Sequence, residues 1–146
     1  MPTKEQIETI IKKLQQIMRI QDWDISIEYI SQYEMKHVFE SYGLDTVMMC
    51  ERNRLRKEAI IYINIDHLSL ETDWYESIVH ELYHIVVGGL SDISDDLMDE
   101  INVSETLKRS KIQLNEQLMV QLAKIFTNVY PVTNFDYILK ADESLS

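Results

Sequence analysis

The chain has 146 residues, of which 45% are hydrophobic and 27% charged, a composition typical of a globular protein and not of a disordered one. This length predicts a single domain over residues 1–146. The net charge of −11 would repel a phosphate backbone, so no nucleic acid is expected as a partner; the one basic cluster, residues 52–57, is interpreted as a solvated loop or strand flank. No apolar stretch resembles a signal core or a membrane span, and the lone Cys50 indicates a reducing compartment, so a cytoplasmic location is expected.

The N-terminal half predicts one helix followed by strands. A capping-box pattern at Thr3 and apolar residues at helical spacing predict a helix over about residues 4–20. Alternation of apolar and polar residues predicts a half-buried strand over residues 23–29. The ambiguous stretch 33–50 is interpreted as a hairpin. A β-branched run predicts a further strand over residues 59–65.

The C-terminal half predicts two helices. Asp73 is a typical N-cap residue and Gly88-Gly89 is a stop signal, so the first helix is expected over about residues 73–87. The acidic residues between 91 and 102 are interpreted as a solvated connection. A long helix is then expected over about residues 103–129, and the order of all these elements predicts an α+β fold.

The first of these two helices carries an HExxH motif, His80-Glu81-Leu82-Tyr83-His84. Residues four apart lie on one helical face, so His80 and His84 can direct ring nitrogens at one metal ion. Glu81 lies about 100° round the helix from His80, a position from which a carboxylate can act on a metal-bound water. The helix is apolar nearly all round, which predicts burial, and buried ionisable groups need partners or a metal. The alternative is a pair of hydrogen-bonded core histidines with a partly exposed Glu81.

A zinc ion would need a third protein ligand. Glu116 falls on the apolar stripe of the last helix, where a core-facing carboxylate needs a partner and zinc is a suitable one. That stripe consists of Ile112, Met119, Ala123, Phe126 and Tyr130. Glu105 lies on the same face and competes for the role, but its place near the helix start favours a cap or a salt bridge with Lys108. Glu116 could instead be a boundary residue paired with a Lys or Arg; we prefer Glu116 as the ligand.

The HExxH helix and the later segment Glu116-Gln-Leu-Met-Val-Gln-Leu-Ala123 resemble the small gluzincin-type zinc metallopeptidase-like proteins, many of them encoded by phages and prophages. The later segment is also similar to the ImmA/IrrE group, where a Glu before a Leu-Ala-type run completes the zinc site. The resemblance covers residues 59–126. It implies a zincin-like fold with an N-terminal helix, a small mixed sheet of three to four strands, the HExxH helix and a long C-terminal helix carrying the third ligand. It also implies that the strand at residues 59–65 lines the cleft and can pair with an extended substrate.

The leading hypothesis is therefore a zinc-dependent metallopeptidase that acts on a peptide or protein substrate. His80, His84 and Glu116 would bind Zn²⁺, and Glu81 would be the general base. The alternative is a catalytically silent zinc-binding domain, acting as a phage or mobile-element protein-interaction module in the host cytoplasm. The sequence assigns neither an oligomeric state nor a residue that stabilises the transition state.

Overall fold

The protein has an α+β fold, as predicted. A computed structural model describes residues 2–38, 47–68 and 73–141 of the chain. In chain order the elements are α1 (Lys4–Met18), β1 (Asp24–Ile30), α2 (Gln32–Val38), β2 (Met48–Asn53), β3 (Glu58–Asn64), α3 (Ile65–Leu68), α4 (Trp74–Glu100), α5 (Glu105–Val129), a 3₁₀ turn (Val132–Phe135) and α6 (Asp136–Leu139).

Helix α1 begins at the predicted capping box. The Thr3 hydroxyl accepts a hydrogen bond from the backbone N–H of Gln6 at 3.2 Å, and Gln6 Oε1 accepts one from the backbone N–H of Thr3 at 2.8 Å. These bonds satisfy two N–H groups that the start of a helix leaves unpaired. The apolar stripe of the helix lies in the core, which it shares with the sheet and α4, through Ile7, Ile10, Ile11 and Leu14.

Three strands form one mixed sheet in the order β1-β3-β2. Strand β1 runs parallel to β3, and β2 pairs with β3 in antiparallel register. The two predicted strands are confirmed as β1 and β3, with β3 at the centre. Ala59, Ile61 and Ile63 of β3 lie in the core, whereas Ile60 and Tyr62 on its other face are only partly buried. The basic residues 54–57 form the exposed turn between β2 and β3, whereas Arg52 reaches back onto α4.

The hairpin predicted for residues 33–50 is wrong in its first part, which is helix α2. A capping box starts this helix: the Ser31 hydroxyl accepts a hydrogen bond from the backbone N–H of Glu34 at 3.2 Å, and the Glu34 carboxylate accepts one from the backbone N–H of Ser31 at 2.8 Å. Alternation of apolar residues over so short a stretch is weaker evidence for a strand than this capping box is for a helix. Residues 39–46 lie outside the described residues, and the last part of the segment enters β2, whose partner is β3.

Helix α4 extends beyond its predicted end. The N-cap is confirmed, because the Asp73 carboxylate accepts a hydrogen bond from the first turn of the helix at 3.1 Å. The predicted stop at Gly88-Gly89 is wrong, since the helix continues to Glu100. A glycine that terminates a helix usually has a positive φ angle, and neither of these does. Gly88 instead leaves room for the guanidinium of Arg52, which lies within 2.5–2.8 Å of where a Cβ would stand.

The acidic segment at residues 91–102 is almost entirely helical, and its interpretation as a connection is wrong. Three of its carboxylates pair with basic side chains of other elements, in the pairs Asp92–Arg52, Asp95–Lys111 and Asp99–Lys108. Charge-assisted hydrogen bonds of this kind offset the low helix propensity of aspartate. They depend on contacts between distant parts of the chain, so the local sequence pattern does not reveal them.

Helix α5 runs antiparallel to α4. The Ser104 hydroxyl caps its start by accepting a hydrogen bond from the backbone N–H of Leu107 at 3.3 Å, and the helix ends before Pro131, as predicted. The chain then returns to the core, where Phe135 is fully buried and the Gln6 side chain donates hydrogen bonds to the carbonyls at the end of α6. None of the helices in the described ranges combines the length and apolarity needed to cross a membrane.

Candidate metal centre

The HExxH motif lies on the buried first half of α4. Ile78, Val79 and Leu82 are fully buried and fix this half of the helix against the core. His80 and His84, one turn apart, therefore project from a rigid element toward the same point. Their Nε2 atoms lie 3.2 Å from each other, as the four-residue spacing predicts.

Glu116 of α5 completes the cluster. Its carboxylate oxygens lie 3.2 Å from His80 Nε2 and 3.1 Å from His84 Nε2. The structure thus brings Glu116 to the two histidines, as expected. Glu105 instead lies 3.7 Å from Lys108, in the salt-bridged position that its place near the helix start indicated.

The spacing of these atoms suits a tetrahedral metal ion. Two ligand atoms at about 2.0–2.1 Å from a tetrahedral zinc ion stand about 3.3 Å apart. The two Nε2 atoms are 3.2 Å apart, Oε2 of Glu116 is 3.2 Å from His80 Nε2, and the other oxygen, Oε1, is 3.1 Å from His84 Nε2. Two imidazole nitrogens and one carboxylate are also a donor set that zinc uses. His80, Glu81 and His84 by themselves form a group whose ligand atoms all lie within 4.8 Å of one another, close enough to hold a metal ion.

The proximity of these side chains shifts the pKa values of Glu116 and His80. Hydrogen bonds from His80 and then His84 hold the pKa of the Glu116 carboxyl far below its usual range. The hydrogen bond to Glu116 raises the pKa of His80, against the opposing effect of burial. The Glu116 carboxylate and the protonated His80 ring thus stabilise each other.

Glu81 is the most buried ionisable group of the site. Its side chain belongs to the protein interior, with 7% of the residue exposed. Burial raises its pKa to about 7, and the nearby His84 and His80, together with a backbone hydrogen bond from Cys50, oppose that rise. The carboxyl group therefore changes protonation state near neutral pH, a property that general bases in enzymes share.

The cluster opens into a cavity of about 640 Å³. Strand β2 forms one wall through residues 47–50 and Arg52, the first turns of α4 form another, and α5 closes the third side with Ile112, Asn115 and Glu116. The contributions of β2 and Asn115 were not predicted. Asn115 carries no signal beyond lying next to Glu116, and β2 fell in the part of the sequence that was read as a hairpin.

The predicted role of residues 59–65 as the cleft-lining strand is wrong. This segment corresponds to β3, whose two edges are occupied by β1 and β2. A strand that is paired on both sides has no backbone groups left for a substrate. The strand beside the cavity is β2, and among residues 2–38, 47–68 and 73–141 no other strand pairs with its outer edge.

Comparisons of the chain with models of protein families, with curated proteins and with solved structures gave no match. The function must therefore be argued from the chemistry of the site.

Proposed function

We propose that this protein is a zinc-dependent metallopeptidase with a zincin-like arrangement of its active site. His80, His84 and Glu116 would bind one zinc ion, and Glu81 would act as the general base. The observation that carries the proposal is the meeting of two Nε2 atoms, 3.2 Å apart, with the Glu116 carboxylate, beside a buried carboxyl group at a cavity wall. One oxygen of Glu116 lies 3.2 Å from His80 Nε2 and the other lies 3.1 Å from His84 Nε2.

The division of roles follows from burial. Bound zinc would supply Lewis-acid activation of a water molecule and of a peptide carbonyl. The buried Glu81 carboxyl lies within 4.8 Å of the ligand atoms of His80 and His84, close enough to accept a proton from the attacking water and deliver it to the leaving amine. A pKa of about 7 suits both transfers, because neither protonation state of the carboxyl group is strongly favoured at neutral pH.

An extended peptide is the substrate class that the cavity supports. Residues of β2 border the cavity, and among the described residues no strand pairs with its outer edge, so an extended chain could add to the sheet there. Strand β2 has six residues, Met48–Asn53, which suffices for several backbone hydrogen bonds. Such pairing would hold a peptide beside His80 and Glu81 largely irrespective of its side chains.

A catalytically silent zinc-binding domain is the second candidate. One observation favours it. The cluster links α4 to α5 at Glu116, and α5 has no buried residue before Met119. A metal ion there would clamp the two helices together. In that case removal of zinc would unfold or loosen the domain, and Glu81 would have no measurable role. A phage or mobile-element protein-interaction module would fit this description.

Zinc analysis combined with a Glu81→Gln variant tests the proposal. We expect about one zinc ion per chain in the wild type and in Glu81→Gln, together with hydrolysis of a mixed peptide library by the wild type alone. Loss of a general base typically costs about 10²–10⁴-fold in rate. Glu105→Gln, a change to an exposed carboxylate of α5, is the matched control and should cleave like the wild type. If Glu81→Gln retains zinc and cleaves as fast as the wild type, the role of Glu81 is refuted; zinc binding without cleavage by any variant favours the silent domain.

A further inference from the structure

The first half of α5 contacts α4 through a polar stripe. Among residues 105–118, all of which the structure describes, none is buried and three are partly buried: Lys108, Lys111 and Asn115. Their spacing of three and four residues places them on one face of the helix. Burial of apolar side chains, the usual means by which a helix is held against its neighbour, begins at Met119. Polar contacts therefore hold this half of α5 in place.

Lys111 makes the most extensive of these contacts. Its ammonium donates hydrogen bonds to the carbonyl oxygen of Ser91 at 2.8 Å and to the Ser91 hydroxyl at 3.3 Å, and it pairs with the carboxylate of Asp95. Its side chain is 12% exposed, against 31% for that of Lys108, which pairs with Asp99 further along α4. Charge-assisted hydrogen bonds are about twice as strong as neutral ones. Lys111 is thus the main polar link between the two helices near the candidate metal centre.

The α4 end of this link lies on the face of α4 that carries the two histidines. Ser91 follows His84 by seven residues, close to two full turns of the helix, and like His84 it lines the cavity. The Ser91 hydroxyl also accepts a hydrogen bond from the Asn115 side chain at 3.1 Å, and Asn115 directly precedes Glu116. The contact that Lys111 makes is therefore continued to the residue next to the proposed third ligand.

Glu116 itself has little packing to hold it in place. Its side chain is 52% exposed where it meets His80 and His84, and it lies about 100° round the helix from Asn115, at the edge of the polar stripe. Metal ligands must stand within about 0.2 Å of their proper distances, and a site that is about 1 Å too loose commonly fails. The separation between α5 and α4 at this point therefore has to be set by neighbouring residues.

We propose that Lys111 is a positioning residue for the metal centre: its bonds to α4 set the distance at which Glu116 meets the two histidines. This role rests on the zinc site of the proposed function, and it gives Lys111 no contact with metal or substrate. Loss of the ammonium should weaken zinc binding although all three ligands remain. A role in stability alone would instead lower the free energy of unfolding and leave the zinc affinity unchanged.

Lys111→Met and Lys108→Met are a matched pair of variants, since each removes one ammonium of α5 that pairs with an aspartate of α4. Competition with a chromogenic chelator measures the zinc affinity of the full-length proteins, and circular dichroism verifies that they fold. We expect Lys111→Met to bind zinc at least about 10-fold more weakly than the wild type, as for groups behind metal ligands, and Lys108→Met to bind it like the wild type. Lys111→Arg should regain most of the affinity, because a guanidinium also donates to carbonyl and carboxylate oxygens.

A second measurement tests whether Lys111 acts through Glu116. In a Glu116→Ala background, Lys111→Met should cause no further loss of zinc affinity, because the carboxylate that it positions is gone. An equal loss in both backgrounds would overturn the proposal. Wild-type affinity in Lys111→Met, or an equal loss in Lys108→Met, would overturn it as well.

Ser91→Ala replaces Lys111→Met if the latter does not fold. It removes the hydroxyl that Lys111 and Asn115 share, and it should likewise weaken zinc binding when Lys108→Met does not. A wild type that binds no zinc would refute the metal site, on which the proposed function also depends. A wild type that binds zinc with an affinity that these substitutions leave unchanged would refute the role of Lys111 alone.

Discussion

Glu116 Oε1 lies 3.1 Å from His84 Nε2 although the two residues belong to different helices. This contact joins the HExxH helix to the last long helix and brings a carboxylate to the two histidines of the motif. It also distinguishes Glu116 from Glu105, which the sequence placed on the same helical face and which pairs with Lys108 instead.

The first prediction concerns metal affinity. Glu116→Ala removes one of three protein ligands, and we expect zinc affinity to fall by more than about 100-fold, since even groups behind the ligands contribute 10–100-fold. Competition with a chromogenic chelator measures this change. Glu105→Ala should bind zinc like the wild type. Equal affinities for the two variants would mean that Glu116 is not a ligand.

The second prediction concerns the pH dependence of the metal-free protein. The pKa of Glu81 rises from 4.5 when exposed to about 7 in the folded state, so the folded protein holds this proton more tightly. Stability should therefore fall as the pH rises from about 4.5 to about 7, by about 3 kcal/mol at most. In Glu81→Gln this contribution is absent, whereas the contributions of His80 and Glu116 remain.

Urea unfolding of both metal-free proteins at pH 5 and pH 8 checks this prediction. The free energy of unfolding of Glu81→Gln should exceed that of the wild type at pH 8, and the difference should shrink at pH 5. The same pH dependence in both proteins would show that the Glu81 carboxyl is not buried in the way described.

A third prediction compares the two glycines within α4. At Gly89 an added Cβ meets nothing within 4 Å, so Gly89→Ala should stabilise the protein by about 0.5–1 kcal/mol through helix propensity. At Gly88 an added Cβ would displace the Arg52 guanidinium, which makes two hydrogen bonds with Asp92 at 2.8 and 2.9 Å. Gly88→Ala should thus be less stable than Gly89→Ala by about 1–3 kcal/mol in urea unfolding. Equal stability of the two variants would contradict the role assigned to Arg52.

The fourth prediction concerns Cys50, which lines the cavity. Burial raises the pKa of its thiol to about 12, and the nearby Glu81 adds to this effect. Because the thiolate is the reactive form, the folded protein at pH 8 should be alkylated by iodoacetamide roughly 1,000-fold more slowly than the urea-unfolded protein. Rapid labelling of the folded protein would indicate an accessible thiolate and would contradict the raised pKa of Cys50.

Local patterns predicted the elements whose signals lie within a few residues. The capping box of α1, the N-cap of α4 and the β-branched run of β3 each depend on neighbouring side chains, so the sequence was sufficient. The placement of His80 and His84 on one face followed in the same way from helical geometry. Helix α2 shows the limit of this reasoning, since a cap at Ser31 competes with alternation over the same stretch and the cap prevails.

The sequence by itself determined the α+β class, the HExxH helix and the preference for Glu116, because period, capping and burial are properties of short segments. Only the tertiary structure decided that α4 continues past Gly88, since that depends on Arg52, which arrives from β2 and occupies the space a side chain would need. It likewise decided that β2 and not β3 borders the cavity, because strand order is fixed by pairing between distant segments. The meeting of Glu116 with two histidines is of the same kind: helical periodicity gives the face on which a carboxylate lies, and packing of α5 on α4 decides what it meets.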